Sequence, residues 1–99
     1  MVVGISRIEL HLPESRSLKD KRQIVRSILQ RIRAKFNISI AEIDHHDLWQ
    51  RASIGISCVS KTSYQARRIL HHIETEIETS RGVVILDEHV SVMPISSEM

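Results

Sequence analysis

The chain has 99 residues and a net charge of +2, with 41% apolar and 26% charged residues, which is the composition of one ordinary globular domain rather than of a disordered segment. Its single cysteine, Cys58, excludes an internal disulfide and lies in an apolar run typical of a buried strand. No apolar run reaches about 18 residues and no signal-peptide pattern is present, so we expect a cytoplasmic protein.

Six elements are predicted in chain order. Alternation and helical periodicity predict a strand over 2–12, a helix over 18–35, strands over 37–46 and 49–60, a helix over 62–79 and a strand over 83–92. Ser17 is the expected N-cap of the first helix, with Asp20 three residues later, and Thr62 or Ser63 is that of the second. We interpret residues 1–93 as one domain and residues 94–99 as a frayed C-terminal tail.

This order of elements predicts an α+β fold, the ferredoxin-like β-α-β-β-α-β sandwich, with a four-stranded antiparallel sheet and both helices on one face. The first and third strands are expected to run parallel at its centre. The core face of the second strand stays open, because Ile38 and Ile40 lie on one face while Ala41 and Ile43 lie on the other. The sheet face away from the helices must meet water or a partner.

The first helix is basic nearly everywhere outside its apolar face. Segment 16–35 holds eight basic residues and one acid, a net charge of +7, while the rest of the chain sums to −5. At about 100° per residue, four of these cations fall within roughly a 60° arc beside the apolar face, along about 21 Å of helix. These four, called the basic ridge below, are Lys19, Arg22, Arg26 and Arg33. Such a ridge predicts contact with RNA phosphates.

Other interpretations of the basic ridge stay open. Its cations are equally explained as a solvated helix face, or as partners of the acidic second helix with Glu74, Glu76 and Glu78. An RNA-recognition motif has the same topology but needs stacking aromatics on its central strands, where this chain offers only Trp49. We therefore expect RNA binding through charge and shape, with little base specificity.

A set of short motifs is spread over residues 2–92. They are Val3-Gly4 with Glu9-Leu10-His11, Ser17-Leu18-Lys19-Asp20-Lys21-Arg22, Lys35-Phe36-Asn37-Ile38-Ser39, Ala41-Glu42, and Asp47-Leu48-Trp49-Gln50-Arg51-Ala52. With these motifs the chain resembles the YlxP-like family of small bacterial proteins, a domain of unknown function. The resemblance implies a ferredoxin-like fold and no catalytic residue. Members are typically encoded beside translation-initiation and ribosome-maturation factors, which implies association with RNA or a ribosomal particle.

The sheet face opposite the helices is a candidate oligomer or partner interface. Trp49 and Arg51 are expected on this face of one strand, with Arg7 and Glu9 on the neighbouring strand. A half-apolar face of this kind favours a homo-oligomer such as a dimer. The alternative is structural, with Trp49 packed over the hairpin end and Arg51 paired with Glu9 or Glu42.

No residue pattern indicates catalysis, a cofactor or a bound metal ion. Cys58 is expected to be buried, and three scattered glycines form no phosphate-binding loop. His45 and His46 lie between Asp44 and Asp47, but adjacent residues of a strand point to opposite faces, so both histidines cannot easily bind one ion. We expect a binding domain that is not an enzyme.

Overall fold

Both helices begin where the sequence places their N-caps. The computed structural model describes residues 1–95, and its elements are β1 (Val2–His11), α1 (Leu18–Lys35), β2 (Ser39–Asp44), β3 (Arg51–Ser60), α2 (Ser63–Glu78) and β4 (Val84–Pro94). The Ser17 hydroxyl accepts a hydrogen bond from the Asp20 N–H (3.0 Å), and the Thr62 hydroxyl accepts one from the Gln65 N–H (3.1 Å). These side chains bind N–H groups that lack a partner in a first helical turn. The predicted span of α1 is confirmed.

The four strands form one antiparallel sheet in the order β2-β3-β1-β4, so the ferredoxin-like topology is confirmed. The expectation that the first and third strands run parallel was wrong, because β1 and β3 pair antiparallel along their whole length. The α1 crossover makes β1 and β2 parallel but leaves a gap between them. β3 follows β2 by a short connection, enters that gap and therefore runs opposite to both neighbours.

The core lies between the helices and one face of the sheet. α1 packs on β2, whereas α2 packs on β1, β3 and β4. Ile28 and Ile32 of α1 and Leu70 and Ile73 of α2 are at most 2% exposed, as their helical spacing predicts. Cys58 lies in the same core at 3% exposure, as expected. Among the described residues, neither helix is long and apolar enough to cross a membrane.

The orientation of β2, which the alternation left open, is decided by Ile40 and Ile43. Ile40 faces the core at 4% exposure, and Ile43 lies on the opposite face at 47%, where it covers Gly55 of β3. Glu42 consequently lies on the helix side of the sheet, opposite Ile54 in the β2–β3 register. The register shifts between Glu42 and Asp44, which is the position of a β-bulge.

The hairpin between β2 and β3 is longer than the sequence predicts. β2 ends at Asp44, and the next residue, His45, has φ 64°, a left-handed conformation that starts a turn. β3 begins at Arg51 rather than at 49. Trp49 was therefore wrongly placed on a strand, and it lies in the connection instead. We call residues 45–50 the Trp49 loop.

The C-terminal strand extends further than predicted. β4 continues to Pro94, and the Ile95 N–H donates to the Met1 carbonyl (2.8 Å). Pro94 and Ile95, the first two residues of the expected tail 94–99, thus pair with the start of the chain. Residues 96–99 lie outside the described residues.

Candidate nucleic-acid interface

The basic ridge lies on the exposed side of α1. Its four members are all exposed, and within residues 1–95 none has a carboxylate oxygen within 4.0 Å. In the part of the chain that the structure describes, Arg33 is the one ridge residue with a tertiary hydrogen bond, which its guanidinium donates to the Ile40 carbonyl of β2 (2.9 Å). That bond orients the side chain but leaves its charge uncompensated. The ridge therefore presents a row of cations to solvent.

The opposite side of α1 behaves differently, because its cations pair with α2. Glu76 accepts a hydrogen bond from the Lys35 ammonium, and Arg31 Nε lies 3.8 Å from the same carboxylate. The bond from Lys35 lowers the pKa of Glu76 below its usual value, against a smaller opposing effect of burial. The interpretation that the first helix pairs with the acidic second helix holds for this side of α1 and not for the ridge.

A third cation of α1, Lys21, is withdrawn from solvent entirely. Its side chain is 1% exposed, its Nζ lies 2.9 Å from Glu42 Oε2, and it donates to the His45 carbonyl. Sequence reasoning counted Lys21 with the basic surface and missed this role. The signal was its position, three residues after Leu18 and four before Val25, which places it in the middle of the apolar stripe.

A shallow groove of about 420 Å³ separates the ridge from β2. Its lining residues are Arg22, Val25, Arg26, Leu29, Gln30, Arg33 and Glu42. One wall is thus basic and the floor is apolar. Glu42 would oppose anion binding, but its charge is compensated by Lys21 from the core side. Arginine guanidinium groups bind phosphate oxygens in a bidentate manner, so this wall has the chemistry to hold a polyanion.

The open face of the sheet, away from the helices, brings together three of the four predicted interface residues. Arg7 Nε donates to Glu9 (2.7 Å), and an Arg51 nitrogen lies 3.9 Å from the other Glu9 oxygen. Burial acts to raise the pKa of Glu9, but hydrogen bonds from Ser53 and Arg7 outweigh it and lower the pKa overall. Arg7 also lies 3.6 Å from Asp44. The structural alternative named Glu9 or Glu42 as the partner of Arg51, and Arg51 approaches Glu9.

Trp49, the fourth predicted interface residue, stands apart from this network. Trp49 is 54% exposed, so about half of its surface remains open to solvent. It lines a second hollow of about 420 Å³ together with Asp47, Leu48, Gln50 and Arg51.

His45 and His46 are the first two residues of the Trp49 loop, directly after β2. Within residues 1–95, no group of three or more His, Cys, Asp or Glu side chains is arranged to hold a metal ion. His45 Nε2 instead lies 3.6 Å from Glu9, and its backbone N–H donates to Asp44 (2.7 Å).

Comparison with known proteins agrees with the fold and with the sequence motifs. The uncharacterized protein YlxP of Bacillus subtilis (strain 168) is 37% identical to this chain over 86 residues. The matched region covers 83% of this chain and 94% of YlxP. Two designed proteins, Foldit4 and the ferredoxin-fold protein LFR1 1, superpose with TM-scores of 0.55 at 12% and 14% identity. The first covers 97% of this chain and all of its own, the second 98% and 90%, and they share its fold alone. The family model for the protein of unknown function DUF503 matches residues 3–90, and the chain belongs to that family.

Proposed function

We propose that this chain is a binding domain rather than an enzyme, and that it associates with RNA or a ribosomal particle in the cytoplasm through the basic ridge. The observation that carries the proposal is that all four ridge cations are exposed, with no carboxylate oxygen within 4.0 Å among residues 1–95. Cations in this state release the counterions of a phosphate backbone on contact, which drives binding. The YlxP-like resemblance favours ribosomal RNA, since members are typically encoded beside translation factors.

The decisive experiment is co-sedimentation with ribosomal subunits across a range of salt concentrations. Four phosphate contacts on single-stranded RNA give a slope of log affinity against log salt of about −3. The variant Lys19/Arg22/Arg26/Arg33→Glu should lose binding. The triple variant Lys19/Arg22/Arg26→Glu keeps Arg33 and its bond to the Ile40 carbonyl. This variant should lose most of the binding to ribosomal subunits.

A matched control is available because the chain also has exposed cations at positions away from the ridge. The variant Lys61/Arg67/Arg68/Arg81→Glu changes the net charge by the same amount at exposed positions outside α1. It should bind nearly as well as the native chain. An equal loss of binding in both variants would show that net charge, rather than the ridge, determines binding. Native affinity in the ridge variant would contradict the proposal.

Self-association through the open face is the second candidate. Ile5 (40%), Ile43 (47%) and Val59 (66%) are exposed on this face of β1, β2 and β3, next to the network of Arg7 and Glu9. Exposed apolar side chains on one sheet face favour contact with a second copy. Ile43→Lys should then reduce the oligomer size measured by sedimentation, and the ridge variant should leave that size unchanged. A chain that stays monomeric at all concentrations would contradict this candidate.

A further inference from the structure

The Trp49 loop exposes the largest apolar side chain of the protein. Trp49 is 54% exposed and its neighbour Leu48 46%, in a chain with only three aromatic residues. An indole contributes a large area of apolar contact when it is covered. Two adjacent exposed side chains of this kind indicate a contact surface rather than scattered surface residues.

This exposure is not a consequence of a loosely attached loop. The Gln50 side-chain amide donates to the carbonyls of Pro13 (3.2 Å) and Ser15 (3.1 Å). The Gln50 carbonyl accepts from the Leu12 N–H (2.9 Å), and the Leu48 N–H donates to the His45 carbonyl (3.0 Å). The indole is therefore presented from a loop that is held at both ends.

The same contacts place the Trp49 loop beside the start of the basic ridge. Pro13 and Ser15 belong to the segment that leads into α1, and the Lys21 ammonium of α1 donates to the His45 carbonyl. Lys19 and Arg22, the first two ridge residues, lie within two positions of Lys21. The exposed indole and the N-terminal half of the ridge thus share one end of the molecule.

The hollow beside Trp49 suits a nucleobase better than a phosphate. Asp47 lines it and repels anions, whereas the Arg51 guanidinium provides hydrogen-bond donors near the indole. Among residues 1–95, Arg51 Nε is buried and has no hydrogen-bond partner. Proteins that bind unpaired RNA combine such an aromatic platform for bases with a nearby cationic track for the backbone.

We propose that Trp49 stacks on an unpaired base while the basic ridge holds the neighbouring phosphates, so that the ligand is RNA with single-stranded nucleotides rather than continuous duplex. This inference rests on the proposed function and specifies its substrate. It also extends the expectation of binding through charge and shape, because it gives the protein a preference for single-stranded RNA.

The test uses the intrinsic fluorescence of Trp49, the only tryptophan of the chain. A short single-stranded RNA should quench this fluorescence, and the matching RNA duplex should bind with little quenching. Trp49→Ala should bind the single strand about 10-fold more weakly and the duplex unchanged. Its salt dependence should stay native, since no charge is removed. Tyr64→Ala is the matched control, because Tyr64 is 72% exposed at the start of α2 and should have no effect.

The outcomes separate the two proposals. Native affinity of Trp49→Ala for single strands, without quenching in the native chain, would overturn the stacking role and leave the ridge proposal standing. RNA affinity that is absent, or unaffected by ridge charge reversal, would overturn both. Trp49→Phe retains an aromatic platform and should recover most of the affinity, which distinguishes stacking from a fold defect.

Discussion

Lys21 and Glu42 form an ion pair between α1 and the edge strand β2, with Nζ 2.9 Å from Oε2. The lysine side chain is 1% exposed and the glutamate side chain 17%. The pair fixes β2 under α1, and through the hydrogen bond from Lys21 to the His45 carbonyl it also positions the turn that follows β2. One buried cation therefore connects the groove beside the ridge with the Trp49 loop.

Removing Lys21 should destabilise the fold strongly. Lys21→Ala leaves the Glu42 carboxylate without its partner in a poorly solvated place, which costs about 3 kcal/mol. Lys19→Ala, an exposed position on the same helix, should change the free energy of unfolding by less than about 0.5 kcal/mol. Urea denaturation of both variants measures the difference, and equal stabilities would contradict the buried ion pair.

The double variant Lys21→Met/Glu42→Leu separates the charge effect from packing. Replacing both charges by apolar groups removes the uncompensated carboxylate, so most of the lost stability should return. Recovery should remain incomplete, because the His45 carbonyl loses its donor. Affinity of the folded double variant for duplex RNA should be native, since Lys21 is not on the exposed ridge.

The stability of the fold should also depend on pH through Glu88. Burial, together with the neighbouring Glu74 carboxyl group of α2, raises the pKa of Glu88 from 4.5 to about 7, while the Ser6 hydroxyl of β1 opposes the shift. The folded state holds the Glu88 proton more tightly than the unfolded state does. The stability that protonated Glu88 contributes is therefore fully present below about pH 4.5 and is lost as pH rises through 7. Glu88→Gln should therefore be more stable than the native chain at about pH 8, by on the order of 1 kcal/mol after solvent screening.

Urea titrations between about pH 4.5 and pH 8 measure this effect. The free energy of unfolding of Glu88→Gln should vary less over that window than that of the native chain. Glu14→Gln, at an exposed position in the segment before α1, serves as the control and should follow the native profile. The pKa values of Glu9 and Glu76 are lowered in the folded state. The stability that these two carboxylates contribute is therefore lost in more acidic solution, as pH falls and they become protonated.

Local signals predicted the fold well, and contacts distant in sequence account for what they missed. The N-cap at Ser17 and the periodicity of α1 are local, and the helix has its predicted bounds. The orientation of β2 depends on the fit of Ile43 over Gly55, and the partner of the buried Lys21 is Glu42. Neither pairing is visible along a short window of sequence. The ridge was predicted because helical geometry alone decides which cations share a side.

The two glycines of the central strands should respond differently to substitution. A Cβ at Gly4 would lie 3.0 Å from Cys58 Sγ and 3.1 Å from Leu70 Cδ1, inside the core. Gly4→Ala should therefore lower the free energy of unfolding by about 1–3 kcal/mol through overpacking. A Cβ at Gly55 would meet Ile43 Cγ2 at 2.9 Å, so the Ile43 side chain has to rotate, but Ile43 is 47% exposed and lies outside the core. Gly55→Ala should therefore cost less in thermal denaturation than Gly4→Ala, and a larger loss there than at Gly4 would contradict this difference.

Gln50 should hold the Trp49 loop in place through its side-chain amide. Gln50→Glu keeps the shape of the side chain but replaces the NH₂ donor by an oxygen that faces the carbonyls of Pro13 and Ser15. It should be less stable than Gln50→Ala, which removes the donor without adding repulsion, and Gln50→Ala itself should lose about 1 kcal/mol. Amide hydrogen exchange in residues 45–50 should speed up in both variants, while exchange in the core strands stays slow. Gln23→Glu, an exposed position on α1, controls for the added charge.

Because a mobile loop must be ordered before an indole can stack, both Gln50 variants should also bind single-stranded RNA more weakly than the native chain and bind duplex with unchanged affinity. Native exchange rates in the loop of Gln50→Glu would show that backbone contacts alone hold Trp49.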